Sequence, residues 1–293
     1  MGNERILVTG ANGLLGTKIF NLLYSDHTVV GIDISEGENS KVKLLDICDK
    51  GGLASLFKDF RPTTVIHAAA ISLPDECEKK HQEAWKVNVE GTRNVADISR
   101  KYGTKMVFTS SLHVFDGKRG NYSERDKPSP INQYGRTKLA GERIVLNSSP
   151  NNLVLRLGTL YGHNAHRKDY VLEVSRKFAL GVKVGGFTDL FRNYTLIDDF
   201  APNILCLLEN NISGLFHFCN FEISSVYDFL IEVAVIFGFP KTLVVSKRAK
   251  PFYPKNVTLD STRVRKLGAC FHSINEGLLV VKRQIRKEIN DEK

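Results

Sequence analysis

The sequence has few of the features that cross-link a protein or anchor it in a membrane. Its five cysteines are widely spaced and form no CxxC pair, so neither a disulfide framework nor a zinc site is expected. No apolar run approaches the roughly 20 residues that a membrane helix needs. The N-terminus runs directly into a strand-like segment and does not resemble a secretory signal. We therefore expect a cytoplasmic protein with no membrane partner and no metal.

Acidic residues are too few to balance the basic ones, and the net charge is +9. The excess is concentrated in residues 241–266, which contain eight Lys or Arg and a single acid, Asp260. A solvated basic face is the favoured interpretation, and attraction of an anionic small molecule is the second. No DNA-binding motif accompanies the charge, so a nucleic-acid partner is not expected.

The first half of the chain alternates strand and helix patterns. Short apolar runs predict strands at 5–9, 28–32, 64–67, 105–109 and 152–156, and helical spacing predicts helices at 14–24, 53–60, 78–101 and 132–146. This alternation predicts an α/β fold, a Rossmann-type doubly wound parallel sheet. We expect a dinucleotide-binding domain at 1–157 and a smaller α/β substrate lobe at 158–293, and the chain is free to cross between the two.

A glycine-rich turn, TGANGLLG at residues 9–16, joins the first strand to the first helix. Such a turn lets the backbone approach a pyrophosphate, and the helix N-terminus then offers N–H groups to the phosphates. Asp33 ends the next strand, where a carboxylate would accept hydrogen bonds from the adenosine ribose. This favours NAD(H) and leaves NADP(H) open. The predicted cofactor contacts in the turn are Gly10, Asn12, Gly13, Leu14, Leu15 and Gly16.

Tyr134 and Lys138 form a YxxxK pair, which lies on one face of a helix. An ammonium group near a phenol lowers the phenol pKa, and this would suit Tyr134 to acid–base chemistry. Ser110 and Ser111 end the fourth strand, where a hydroxyl could hydrogen-bond a substrate carbonyl. These residues predict a site for carbonyl chemistry behind the dinucleotide turn.

The TGxxGxxG spacing resembles the extended short-chain dehydrogenase/reductase family. In that family an Asp-Ile pair flanks the adenine, small residues run beneath the cofactor, and a VNxxGT helix motif follows. The resemblance implies that the cofactor also contacts Tyr134 and Lys138, and it selects Ser111 over Ser110 as the third member of a catalytic triad. The further contacts that it implies are Asp46, Ile47, Ala68, Ala69, Ala70 and Asn88.

Within this family the chain resembles the dTDP-4-dehydrorhamnose reductase branch. The elements that carry the resemblance are VFDG at 114–117, YSERD at 122–126, YGRTKLAGE at 134–142 and PKNVTLD at 254–260. The branch implies an NAD(P)H-dependent oxidoreductase that reduces the C4 keto group of a nucleotide-diphosphate deoxysugar in dTDP-rhamnose biosynthesis. Ser111 would polarise the carbonyl and Tyr134 would donate the proton.

The chain departs from this branch in two places. Leu112 and His113 replace an Asp and a Tyr that adjoin the substrate in the family, which leaves the sugar open. Arg192 begins a segment that is similar to a motif of nucleotide-sugar epimerases, whose arginine contacts the substrate diphosphate. An NAD-dependent 4-epimerase or dehydratase is therefore one alternative. A second is a non-catalytic regulatory subunit, because that of methionine adenosyltransferase resembles the same branch. The oligomeric state stays open, although family members often form homodimers.

Overall fold

The computed structural model describes residues 4–37, 41–164 and 170–291. The strands of the first half are β1 (Arg5–Thr9), β2 (Thr28–Asp33), β3 (Val42–Leu44), β4 (Thr64–His67), β5 (Lys105–Ser111) and β6 (Leu153–Leu157). Its helices are α1 (Leu14–Leu23), α2 (Lys50–Phe60), α3 (Pro74–Lys79), α4 (His81–Trp85), α5 (Thr92–Tyr102) and α6 (Gln133–Ser148).

The second half contributes shorter strands and further helices. The strands are β7 (Thr159–Tyr161), β8 (Val184–Phe187), β9 (Phe191–Leu196), β10 (Gly214–Phe218), β11 (Ile223–Ser225) and β12 (Val244–Lys247). The helices are α7 (Tyr170–Ala179), α8 (Phe200–Glu209), α9 (Val226–Phe237), α10 (Thr262–Lys266) and α11 (Ile274–Asp291). None of the helices in the described residues is long and apolar enough to cross a bilayer.

A seven-stranded sheet with the order β10-β6-β5-β4-β1-β2-β3 forms the centre of the molecule. Every strand pair in it is parallel. The direction of winding reverses between β1 and β4, where Thr9 pairs with His67. Ligands of doubly wound sheets bind outside the carboxyl ends of the strands at such a point. The predicted fold class is confirmed.

Helices cover both faces of this sheet. On one face α1 and α8 enclose an apolar core that includes Phe20, Phe200 and Ile204. On the other face α2, α5 and α6 enclose a second core that includes Phe57, Val95 and Val145. The strands that these cores cover are almost continuously apolar because they are buried on both sides.

A smaller lobe contains β7, β9 and β11 in one sheet and β8 and β12 in another. Its core lies among α7, α9 and α11, where the rings of Tyr194 and Phe229 stack with centroids 3.9 Å apart. Between these elements the chain returns to the central sheet, because β10 pairs with β6. The lobe thereby holds β9 close to the carboxyl ends of the central strands.

The helix that the sequence predicts over 78–101 is not continuous. It breaks at Lys80, and a π-helical segment, Lys86–Gly91, joins α4 to α5. The wider turn places the Asn88 side chain against the loop after β4, where its amide pairs with both backbone groups of Ile71. The prediction was wrong here because apolar spacing does not reveal an extra residue in one turn.

Candidate functional site

The glycine-rich turn is shaped for close backbone approach. Gly10 has a φ of +68°, and a Cβ there would lie 2.7 Å from the backbone nitrogen of Ala69. A Cβ on Gly16 would lie 1.9 Å from the carbonyl oxygen of Gly10. Helix α1 then begins after Gly13 with no side-chain cap and no acidic residue in its first turn. Its first amides therefore suit the phosphates of a dinucleotide.

Asp33 lies at the end of β2, directly beside this turn. Its carboxylate accepts hydrogen bonds from the backbone nitrogen of Asn12 at 3.0 Å and from the backbone and hydroxyl of Ser35 at 3.0 and 2.8 Å. These three donors hold the side chain where the sequence predicts the ribose. A 2′-phosphate at this place would face a negative charge.

The remaining predicted cofactor contacts surround the switch point of the sheet. Ala68 and Ala69 follow β4, and their backbone nitrogens donate to the carbonyl and hydroxyl oxygens of Thr9, both at 3.2 Å. Ile47 is 3% exposed and its carbonyl accepts from Asn94, so the loop after β3 is fixed against α5. All of the predicted cofactor contacts, including Asp46, Ala70 and Asn88, stay predictions.

Ser111, Tyr134 and Lys138 lie together at the carboxyl end of β5. Ser111 ends that strand, and the other two lie one turn apart near the start of α6. The Ser111 hydroxyl lies close enough to the Tyr134 phenol to favour its ionised form. Gly135 allows this approach, because a Cβ there would lie 2.1 Å from the carbonyl oxygen of His113. The predicted set is therefore assembled in the folded chain.

The pKa of the Tyr134 phenol differs from the prediction. Burial raises the pKa of Tyr134 to about 12, against a smaller opposing effect of the Ser111 hydroxyl. Burial also lowers the pKa of Lys138 to about 8, although Glu142 favours its charge. The predicted lowering of the phenol pKa by Lys138 is thus wrong for the chain alone, because loss of water around both groups dominates. Tyr134 is a neutral phenol near pH 7, the form that can donate a proton.

Two buried side chains near Lys138 are not among the site residues that the sequence predicts. His67 is fully buried, its ring nitrogens contact the hydroxyls of Thr9 and Thr92 at 2.7 and 3.0 Å, and burial and Lys138 lower its pKa to about 3. Cys77 is also buried, and its thiol pKa is raised to about 11. Neither is charged near pH 7, so both belong to the apolar surroundings of Lys138. The sequence gives no signal for Cys77, because α3 is brought here by tertiary packing alone.

Arg192 enters the site from β9. It is 4% exposed, and its guanidinium donates to the carbonyls of Phe191, Pro254 and Lys255 at 2.7 to 3.1 Å. Within the described ranges no carboxylate forms an ion pair with it, so the positive charge is held by dipoles only. Arg192 is therefore not part of a surface salt bridge with the described residues, and its charge is available to an anion. Its charge acts on His113 and Tyr253.

The late PKNVTLD element explains how Arg192 is held. The backbone nitrogen of Asn256 donates to the carbonyl of Gly117 at 2.9 Å, and the backbone of Tyr122 pairs with Thr258 and Asp260 at 2.8 and 2.7 Å. The VFDG, YSERD and PKNVTLD elements therefore form one cluster although they are far apart in the chain. Two of the three carbonyls that bind the guanidinium, those of Pro254 and Lys255, belong to this cluster.

A groove of about 330 Å³ opens between α3 and the loop before the PKNVTLD element. Asp75 crosses one side of the opening, where it hydrogen-bonds Tyr253 and lies 3.7 Å from the Lys250 ammonium. The groove lining is Leu73, Pro74, Asp75, Glu76, Lys79, Lys80 and Tyr253. The opening therefore combines an apolar floor with basic and acidic side chains.

The described residues contain no group of three or more His, Cys, Asp or Glu side chains arranged to hold a metal ion.

The chain is similar in sequence and in structure to several known proteins. The sequence model of the RmlD substrate binding domain matches residues 4–273. The methionine adenosyltransferase 2 subunit beta of Rattus norvegicus is 30% identical over 280 residues, which are 91% of this chain and 83% of the relative. A probable low-salt glycan biosynthesis reductase of Haloferax volcanii is 33% identical over 82% of each chain. A solved dTDP-4-dehydrorhamnose reductase of Bacillus anthracis, in complex with NADP, is 28% identical with a TM-score of 0.88, over 96% of this chain and 99% of that one.

Proposed function

Because the chain belongs to the RmlD substrate binding domain family, as its motifs predict, we propose that it is an NAD(P)H-dependent reductase of a nucleotide-linked 4-keto-deoxysugar. The observation that carries this proposal is the placement of the Ser111 hydroxyl, at the carboxyl end of β5, beside the Tyr134 phenol, with Lys138 one helical turn away on α6. The named relatives agree with the predicted oxidoreductase class and with a nicotinamide cofactor. We propose a dTDP-4-dehydrorhamnose as the sugar to test first.

The turn at 10–16, Asp33 and the alanines after β4 are the residues that would hold the dinucleotide. When bound, the reduced nicotinamide supplies a hydride to the C4 carbon. Tyr134 donates its phenolic proton to the carbonyl oxygen, and Ser111 orients that oxygen and stabilises the negative charge that develops on it. Lys138, with its pKa of about 8, supplies positive charge behind the phenol when protonated. The product is an alcohol, and the proton on Tyr134 is replaced from solvent.

Arg192 is proposed to bind the diphosphate of the substrate. A guanidinium that is paired only with carbonyls gains strong charge-assisted hydrogen bonds from phosphate oxygens. The PKNVTLD cluster keeps it rigid, so little side-chain entropy is lost on binding. The 241–266 segment adds long-range attraction for the same anion.

The test is oxidation of NADH or NADPH, followed by absorbance, with dTDP-4-dehydro-L-rhamnose as substrate. Tyr134→Phe is expected to lose about 10²- to 10⁴-fold in rate because it removes the proton donor. Tyr102→Phe is the matched control, since this tyrosine is 37% exposed on α5, where its ring packs against Phe57 and Lys101. Absence of turnover by the unmodified protein with both cofactors would contradict the proposal.

A second candidate function is a regulatory subunit. Methionine adenosyltransferase 2 subunit beta proteins of several vertebrates are 29–30% identical to this chain. The assembled Ser111–Tyr134–Lys138 set favours catalysis over this role. Binding of the purified chain to a methionine adenosyltransferase catalytic subunit, measured by sedimentation, would favour the second candidate if reductase activity is absent.

A further inference from the structure

His113 stands where the reductase branch has a tyrosine, and it borders the reacting group. Its ring meets that of Tyr134 edge-on, with centroids 5.6 Å apart. The charge of Arg192 acts on it from the opposite lobe. The side chain is only partly buried. A residue that distinguishes this chain from its branch therefore lies between the proton donor and the guanidinium.

Asn132 determines which ring nitrogen of His113 carries the proton. Asn132 is fully buried and is the N-cap of α6, where its side-chain oxygen accepts from the backbone nitrogen of Gly135 at 2.8 Å. That bond identifies the oxygen, so the other amide atom is the nitrogen. The nitrogen lies 3.0 Å from His113 Nδ1 and 3.4 Å from the carbonyl of Phe252. An amide nitrogen only donates, so Nδ1 is an acceptor and the proton of the neutral ring is on Nε2.

The Nε2 atom has no hydrogen-bond partner among the residues that the structure describes. It is also not one of the polar atoms in this part of the chain that are both unpartnered and completely buried. It is therefore accessible to solvent or to a ligand. Two groups face the ring with a charge or a titratable proton, Arg192 from β9 and Tyr134 from α6. Burial and Arg192 lower the His113 pKa to about 3, and Tyr134 is a neutral phenol near pH 7. The ring consequently remains neutral in the working pH range.

We propose that Asn132 is a positioning residue that fixes His113 as a neutral Nε2–H donor to an oxygen of the sugar beside the reacting carbonyl. This inference rests on the proposed function. A tyrosine hydroxyl at the same position can donate or accept, whereas this Nε2–H only donates. The chain would thus select a sugar that presents an acceptor oxygen there, and His113 is a specificity determinant of the reductase site.

The tautomer can be measured without any substrate. In protein labelled with ¹⁵N-histidine at pH 7, His113 should show a pyridine-type Nδ1 and a pyrrole-type Nε2, with His113→Gln used for the assignment. Asn132→Asp keeps a strong helix N-cap but replaces the donor by an acceptor, so it should move a proton to Nδ1. A pyrrole-type Nδ1 in the unmodified protein, or no change in Asn132→Asp, would overturn the inference.

Kinetics test the contact with the sugar. With dTDP-4-dehydro-L-rhamnose and NADH, Asn132→Asp should raise KM about 3- to 10-fold with little change in kcat, the loss expected for one hydrogen bond formed in both ground and transition states. In the His113→Gln background the same change should leave KM unaltered, because a glutamine amide has no tautomer to shift. Equal effects in both backgrounds, or an unchanged KM in the first, would overturn the contact.

The two proposals fail in different ways. If the unmodified protein does not turn over this sugar, the proposed function fails, and the labelled-histidine measurement still decides the assignment of His113. Thermal unfolding of Asn132→Asp within a few degrees of the unmodified protein is the accompanying control for the helix cap.

Discussion

Arg156 and Glu142 form a buried bidentate ion pair behind the site. The guanidinium Nε and Nη2 atoms of Arg156 lie 2.9 and 2.8 Å from the two carboxylate oxygens of Glu142, and both residues are at most 3% exposed. The hydroxyl of Ser110 also donates to this carboxylate at 2.5 Å. The pair therefore joins β6 and β5 to α6, the helix that carries Tyr134 and Lys138.

Removal of one partner should be strongly destabilising. Arg156→Met would leave the buried Glu142 carboxylate without its bidentate partner, at a cost of about 3–5 kcal/mol in the free energy of unfolding. Urea denaturation measures the loss. Lys177→Met is the matched control, because its pair with Glu173 is exposed on α7 and is worth less than about 0.5 kcal/mol. A loss no larger in Arg156→Met than in this control would contradict the assignment.

Buried neutral histidines should make the protein sensitive to mild acid. His67 and His217 have pKa values lowered to about 3, both first by burial, from an unfolded value near 6.5. Below pH 6.5 the unfolded chain takes up protons that the folded chain does not, so stability is lost as the pH falls and is fully present above 6.5. Each histidine contributes a slope approaching 1.4 kcal/mol per pH unit. Denaturation between pH 7 and 5 should show this slope, and a conservative His67→Gln change should reduce it.

Gly16 should not tolerate a methyl group. Gly16→Ala would force its Cβ against the carbonyl of Gly10, 1.9 Å away in the present geometry, and would disturb the dinucleotide turn. We expect a loss of about 1–3 kcal/mol in stability together with weaker binding of NADH. Gly51→Ala is the control, since a Cβ there meets only Asp49 at 3.5 Å and should stabilise α2 by up to about 1 kcal/mol. Equal melting temperatures for the two variants would contradict the tight turn.

Asp33 should decide between the two nicotinamide cofactors. Its carboxylate is held beside the turn by Asn12 and Ser35, so we expect kcat/KM for NADH to exceed that for NADPH by at least about tenfold, or ~1.4 kcal/mol. Asp33→Asn should bring the two values closer. Asp46→Asn, near the predicted adenine, should leave their ratio unchanged. A preference for NADPH in the unmodified protein would reverse this prediction.

The sequence was sufficient where local pattern and global fold agree. The glycine turn, the residues of the Ser111–Tyr134–Lys138 set and the order of elements through β6, apart from β3 and the break in the 78–101 helix, follow from periodicity, from the YxxxK spacing and from the family motifs. The direction of the Tyr134 pKa shift does not, because it depends on how completely the folded chain removes water from the phenol. The roles of Asn132 and His113 were also beyond the sequence, since they depend on one amide orientation between two elements.

The path of the chain also could not be predicted from the pattern of apolar residues in the sequence. A three-residue strand such as β3 has no measurable periodicity, and the pairing of β10 with β6 joins segments far apart in the sequence. Long-range pairing of this kind is set by tertiary packing. The carbonyls that hold Arg192 could not be predicted from the sequence either, because backbone groups carry no sequence signature.

The return of β10 to the central sheet has a consequence during synthesis. β10 is made roughly 60 residues after β6, so at about 5–20 residues per second the outer edge of β6 stays unpaired on the ribosome for several seconds. An unpaired apolar edge strand is a template for association with other chains. The nascent protein therefore depends on chaperones until β10 has been made. A ribosome that stalls between β6 and β10 would release an aggregation-prone fragment.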